Sequence, residues 1–204
     1  MNLNIPISVG AFLGTAIALL LSFKLSQSYD RWWEARKIWG SIVNDSRTLV
    51  MQLNGFTNRE NRTVTDRMAY RQIAWCYSLS QNLRNENPSE NIIEFISQHE
   101  LNSIKNQKHT PLALLANQSQ DLSVLHNQEL VSDFQQIQID NTLVNLCASM
   151  GKAERIKNTA FPKTYRLTLR LFIFIFLITL SAALTEMPSV AEIPFLIIIS
   201  IPFF

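Results

Sequence analysis

The chain separates into apolar ends and a polar middle. Residues 3–23, LNIPISVGAFLGTAIALLLSF, contain no charged side chain, and neither do residues 171–184 or 193–204, so charge lies almost entirely between residues 24 and 170. The first apolar run is 21 residues long. As a helix rising about 1.5 Å per residue it extends about 30 Å, the thickness of a bilayer's hydrocarbon core. The run therefore predicts a membrane span. Pro6 stands where the first turn of a helix tolerates a missing N–H. Gly10 and Gly14 form a G-x-x-x-G, a spacing that lets a second helix approach closely in lipid. A secretory signal is the competing reading, but residues 1–4 carry no basic side chain, the apolar run is too long, and Leu-Ser-Phe-Lys is a poor cleavage site.

Residues 40–160 hold three glycines (Gly40, Gly55, Gly151) and two prolines (Pro88, Pro111). Such sparse punctuation predicts long helices rather than many short strands. Helical spacing recurs along this stretch. Ile73, Cys76, Ser80 and Leu83 fall on one face of a helix starting near Asp66. Leu101, Ile104 and Lys108 continue a weaker pattern, Leu122, Leu125, Leu130 and Phe134 predict another helix, and Ile139, Leu143, Leu146 and Met150 the next. Pro88 and Pro111 sit in polar settings that suit loops or helix starts. The Gln and Asn enrichment from 117 to 141 reads as a solvated helix face.

Near the far end, residues 171–184 (LFIFIFLITLSAAL) and 193–204 (IPFLIIISIPFF) are each shorter than the roughly 20 residues of a full span. They predict a hairpin whose polar turn lies around 185–192. Basic residues flank both apolar regions on the side of the middle segment: Lys24, Arg31, Arg36 and Lys37 on one side, and Lys152, Arg155, Lys157, Lys163, Arg166 and Arg170 on the other. Trp32, Trp33 and Trp39 stand among the first set, as indoles do at a headgroup interface. Trp32, Trp39 and Val43 can share one face, and Arg31 with Glu34 forms a candidate i,i+3 pair. Positive flanks mark the cytoplasmic side, so the middle segment is expected in the cytoplasm and the protein in the cell membrane as a multi-pass chain. The expected organisation is a span over 1–24, a cytoplasmic helical domain over 25–170 and a membrane hairpin over 171–204. Residue 1 would then lie outside with almost nothing before the first span, and the chain stops inside an apolar run; the sequence reads as a piece of a longer protein.

Composition excludes more than it identifies. The formal net charge is +2, and basic residues are not gathered into a stripe with interleaved aromatics, so nothing points to nucleic acid. Cys76 and Cys147 form no CxxC and read as buried reduced thiols. His99, His109 and His126 are scattered among polar helices and read as solvated. There is no P-loop, G-x-S-x-G, H-E-x-x-H or G-x-G-x-x-G, so an enzyme is not expected and no cofactor is implied.

One block is more specific. Gln27-Ser28-Tyr29-Asp30-Arg31-Trp32-Trp33-Glu34-Ala35-Arg36-Lys37, with Trp39-Gly40 and Asn44-Asp45-Ser46-Arg47, resembles the signature of the bestrophin family, most closely its bacterial branch. A second block, Gly151-Lys152-Ala153-Glu154-Arg155-Ile156 with Asn158-Thr159, Pro162 and Tyr165, resembles the stretch leading into that family's second membrane region. Ala153 replaces the Cys usual there, a packing change. The resemblance covers nearly the whole chain. It implies an all-α, multi-span membrane protein with a cytoplasmic helical domain, acting as one subunit of a homopentameric ion channel, mostly anion-selective. The partners it implies are further copies of the chain, the lipid bilayer and permeant inorganic ions such as chloride.

The resemblance also carries candidate site residues. The family's pore neck is lined by three apolar residues at i, i+4 and i+8, which match Thr15, Leu19 and Phe23, with Thr15 departing from the usual apolar residue. Five copies would form a ring at each level, and apolar rings can gate by dewetting. A second constriction, an apolar residue before a proline, matches Phe161 before Pro162. The animal family's calcium site draws on regions outside this chain, and no metal site is expected. The rival reading is a membrane-anchored sensor or scaffold whose cytoplasmic helices bind a partner.

Overall fold

The computed structural model describes residues 7–57, 62–159 and 163–183. Six α-helices and no strand form among the described residues: α1 (Ile7–Phe56), α2 (Arg62–Leu83), α3 (Gln98–Lys105), α4 (Thr110–Asn127), α5 (Asp133–Asn158) and α6 (Lys163–Ala183). The all-α expectation holds. Packing divides the chain into two compact units, Met1–Trp32 with Ala160–Phe204, and Trp33–Thr159. The 50-residue α1 contributes to both. Neither glycine nor proline interrupts the residues of the aromatic and basic block, Ser28–Lys37, and the helix runs straight through them.

In the first unit, α1 and α6 pack through Ile17, Leu169 and Ile173, all buried, with Leu20, Leu21, Phe172, Phe176 and Leu177 around them. Of the G-x-x-x-G pair only Gly14 meets a neighbour. The ring of Phe176 lies 3.4 Å from where a Cβ would stand, while Gly10 faces open space. The Tyr165 phenol donates to the Leu20 carbonyl at 2.6 Å. Among the described residues α1 alone is long and apolar enough to cross a membrane, and Leu167–Ser181 of α6 is a shorter apolar stretch. The expected hairpin turn and the final apolar run, 185–204, lie outside the described residues.

In the second unit, the end of α1 and helices α2–α5 enclose one core. Its members include Ile42, Leu49, Leu53, Met68, Trp75, Leu79, Leu114, Leu122, Leu125, Ile139, Leu143, Leu146 and Met150. The spacing Ile139–Leu143–Leu146–Met150 is thus the buried stripe of α5, as expected. The stripe expected over Leu122–Phe134 breaks instead. Glu129 takes φ 60°, the Leu130 N–H reaches back to the Leu125 carbonyl, and α4 ends at Asn127. Ser132 and Gln135 then form a capping box that starts α5. Phe134 stands 83% exposed.

α2 also differs from its expected face. It starts at Arg62 rather than near Asp66, and Ile73 is exposed. Its buried side carries Arg71, Gln72, Ser78 and Gln81 beside Met68, Trp75 and Leu79. A hydrophobicity pattern cannot find that side, because polar side chains share it with apolar ones and its one charge, Arg71, is buried with ion-pair partners.

Candidate pore face and interior ion-pair network

Thr15, Leu19 and Phe23 sit on α1 at successive turns, so they share one face. All three are exposed, Leu19 at 59% and Phe23 at 56%. The opposite face, marked by Ile17, Leu20 and Leu21, is the one packed on α6. Large apolar side chains thus project from the side of the helix that its partner leaves open. The Thr15 hydroxyl donates to the Ala11 carbonyl at 2.9 Å. Its proton is thereby spent within the helix, and the residue offers less polarity outward than its name implies. Phe161 and Pro162, the expected second constriction, lie outside the described residues.

The signature block continues on α1. Ser28 donates to the Lys24 carbonyl at 2.9 Å, and the Tyr29 and Trp32 rings lie 5.7 Å apart, tilted by 40°. Asp30, Trp33 and Arg36 are exposed and Arg31 is half-buried. Glu34 pairs with Lys37 at 3.2 Å, one turn further on. Of the three residues expected to share one face, Trp39 packs against the core while Trp32 and Val43 are exposed.

The chemistry that sequence reasoning missed is inside the second unit. Arg71, 4% exposed, lies between α3 and α4. Its guanidinium holds Glu100 through two hydrogen bonds, Nε to Oε1 and Nη2 to Oε2, the latter at 3.1 Å. Its Nη1 donates to Asp121 at 2.6 Å and to the Gln118 side chain at 3.3 Å. Arg67 adds two bonds to Asp121, at 3.0 and 2.7 Å, and Asn117 donates to Glu100 at 2.9 Å. Burial alone would raise the Asp121 carboxyl, but the hydrogen bonds and charges of Arg67 and Arg71 outweigh it and hold the group below its ordinary range. Burial likewise opposes the Arg71 charge, and its two carboxylates more than compensate. Two guanidiniums against two carboxylates leave a neutral cluster that fixes α2 to α3 and α4.

The histidines and cysteines also depart from expectation. His109 is not simply solvated. Its Nδ1 accepts from the Leu112 N–H at 3.1 Å, capping α4, while Nε2 meets Glu154 of α5 at 2.6 Å. That pattern assigns the neutral tautomer with the proton on Nε2. Cys147 is exposed rather than buried, and Cys76 is half-buried. Burial pushes the Cys76 thiol up, against hydrogen bonds from Ser46 and Gln72. Burial also raises the Asp45 carboxyl. Cys76 borders a largely apolar cleft of about 600 Å³ between α1 and α2, lined also by Val50, Met51, Ala69 and Ile73. Among the described residues no group of three His, Cys, Asp or Glu side chains is placed to hold a metal ion.

Comparison with known proteins bears on the family and the fold. The chain is 28% identical to a voltage-dependent anion channel-forming protein of Nostoc, covering 91% of this chain and 62% of that relative. It is 28% identical to the voltage-dependent anion channel-forming protein YneE of Escherichia coli K12, covering 90% of this chain and 60% of the relative. The chain therefore spans about three-fifths of the length of these curated relatives. The crystal structure of a bacterial bestrophin homolog from Klebsiella pneumoniae superposes with a TM-score of 0.89 at 26% identity, covering 98% of this chain and 74% of that one. A variant of the same homolog superposes with a TM-score of 0.89 over 100% of this chain and 75% of that one. The two curated relatives carry names of channels, not of enzymes. The sequence profile of bacterial and fungal bestrophin proteins matches residues 1–204, and so this chain belongs to the bestrophin family.

Proposed function

We propose that this chain forms the greater part of an anion channel subunit, and that the Thr15–Leu19–Phe23 face of α1 lines the neck of its pore. The observation that carries the reading is the two-sidedness of α1. One face is packed on α6, while the other holds out Leu19 and Phe23 with no covering helix among the described residues. In a ring of copies around an axis these side chains would meet, and a ring of apolar groups gives an ion nothing to replace its hydration shell. Such a neck closes by dewetting and opens by widening. The names of the relatives support anions as the permeant species, and chloride is the anion proposed.

The arrangement proposed is a homopentamer in the cell membrane, multi-pass, with the second unit in the cytoplasm. The basic flanks bordering that unit support this orientation. Phe161 is proposed as a second, cytoplasmic constriction. Chemical cross-linking of the complete protein in mild detergent tests the assembly. A ladder ending at five subunits is expected. A monomer or dimer would contradict the channel and favour a membrane-anchored sensor or scaffold, whose partner would find a ready seat in the cleft between α1 and α2.

A further inference from the structure

The heptad spacing of charge on α1 separates the two signs. Seven residues return nearly to the same side of a helix after two turns. From buried Ile17 that step leads to Lys24 and then to Arg31, so both basic residues continue the face packed on α6. From exposed Phe23 the same step leads to Asp30, and from Thr15 and Leu19 it leads to Ser22 and Ser26. All of these are exposed. The candidate pore face therefore runs from Leu19 and Phe23, with Ser22 beside them, to the Ser26 hydroxyl and then to a carboxylate, and within the first unit that carboxylate is its one charge. Asp30 is exposed, and among the described residues no hydrogen bond or ion pair holds it.

We propose that Asp30 is a selectivity-determining residue, placed about 10 Å along the helix from Phe23 so as to draw cations to the cytoplasmic mouth of the neck and repel anions. The inference rests on the pore-face reading given above. In a ring of copies, each copy adds a negative charge at one level, and walls of low dielectric focus the field of such a ring into the lumen. The neck itself has no fixed charge, so the nearest fixed charge on the same face biases which ion enters it. Lys24 and Arg31 stand about 120° and about 100° around the helix from Asp30, so they project away from the candidate pore face and cancel its charge only in part. Asp30 thus works against anion preference, and the ratio of anion to cation permeability reflects its presence.

The test uses the complete protein in planar bilayers under a tenfold sodium chloride gradient. Asp30→Asn is expected to move the reversal potential toward the chloride equilibrium potential, Asp30→Glu to leave it unchanged, and Lys24→Gln to leave it unchanged. Should Asp30→Asn fail to assemble, Asp30→Cys supplies a second route. A negatively charged methanethiosulfonate added to the folded channel should move the potential toward sodium, and a positively charged one toward chloride. Unchanged reversal potentials for Asp30→Asn, in a channel whose conductance does respond to Phe23→Ala, would overturn the role of Asp30 alone. A protein whose currents respond to neither substitution would overturn the pore-face reading beneath it.

Discussion

The Tyr165 hydroxyl donates a hydrogen bond to the backbone carbonyl of Leu20, 145 residues away in sequence, and so ties the first turn of α6 to the first third of α1. That carbonyl already belongs to the helical ladder of α1, and the phenol adds a second donor to it. The bond stands beside the packed face formed by Ile17, Leu169 and Ile173. Anchoring that face leaves the opposite one turned away from α6. Tyr165→Phe keeps the ring and removes only the donor. It should lower the stability of the α1–α6 pair by about 0.5–1.5 kcal/mol, read as a lower midpoint of thermal unfolding in detergent. An unchanged midpoint would mean that the bond contributes nothing.

Removal of Arg71 should be far more damaging. Arg71→Met leaves Glu100 and Asp121 without their shared buried cation, and breaking such a pair from one side costs about 3–5 kcal/mol. Arg67 also binds Asp121, but its side chain is 46% exposed, and Arg67→Met should cost about 1 kcal/mol or less. The contrast in helical unfolding, followed by circular dichroism in denaturant, checks the assignment. Equal effects would contradict it.

The same cluster sets a response to acid. The folded-state value of Asp121 lies below its unfolded value, which is about 3.9 for a free Asp. Its contribution is therefore complete above that unfolded value and is lost as pH falls through the lower folded one. Stability measured from pH 5 downward should fall more steeply in the native protein than in Asp121→Asn. Parallel pH profiles would show that Asp121 is not a linked group.

Glu129 holds a left-handed conformation, φ 60°, at the end of α4, where glycine is the unstrained residue. Glu129→Gly should stabilise the second unit by up to about 1 kcal/mol, since a non-glycine residue there carries a cost of about 1–2 kcal/mol that glycine avoids, offset in part by glycine's chain entropy. A fall in the unfolding midpoint would mean that the Glu129 side chain makes an offsetting contribution.

The sequence was legible where burial is apolar and periodic. The α5 stripe from Ile139 to Met150 was readable because leucine and isoleucine at helical spacing have one good place to go. Reading failed where polar residues are buried in company. Nothing in the spacing of α2 marks Arg71 as interior, because its partners Glu100 and Asp121 lie 29 and 50 residues away. His109 looked solvated because a helix cap depends on backbone geometry. The break before α5 carried a readable signal, the Ser132–Gln135 capping box, which the run of leucines on either side concealed. The proposed pore face is a different case. Composition gives only an apolar span, and the resemblance supplied the particular triplet, whose exposure opposite the packed face is what the fold adds.

The central claim is that Phe23, on the open face of α1, narrows a water-filled path. Single-channel recording of the complete protein in a planar bilayer, comparing native Phe23 with Phe23→Ala, tests it most directly. Removing the ring widens the constriction and lowers the barrier to wetting, so the account predicts higher conductance or open probability. Currents identical to those of the native protein, from a variant that assembles normally, would contradict it.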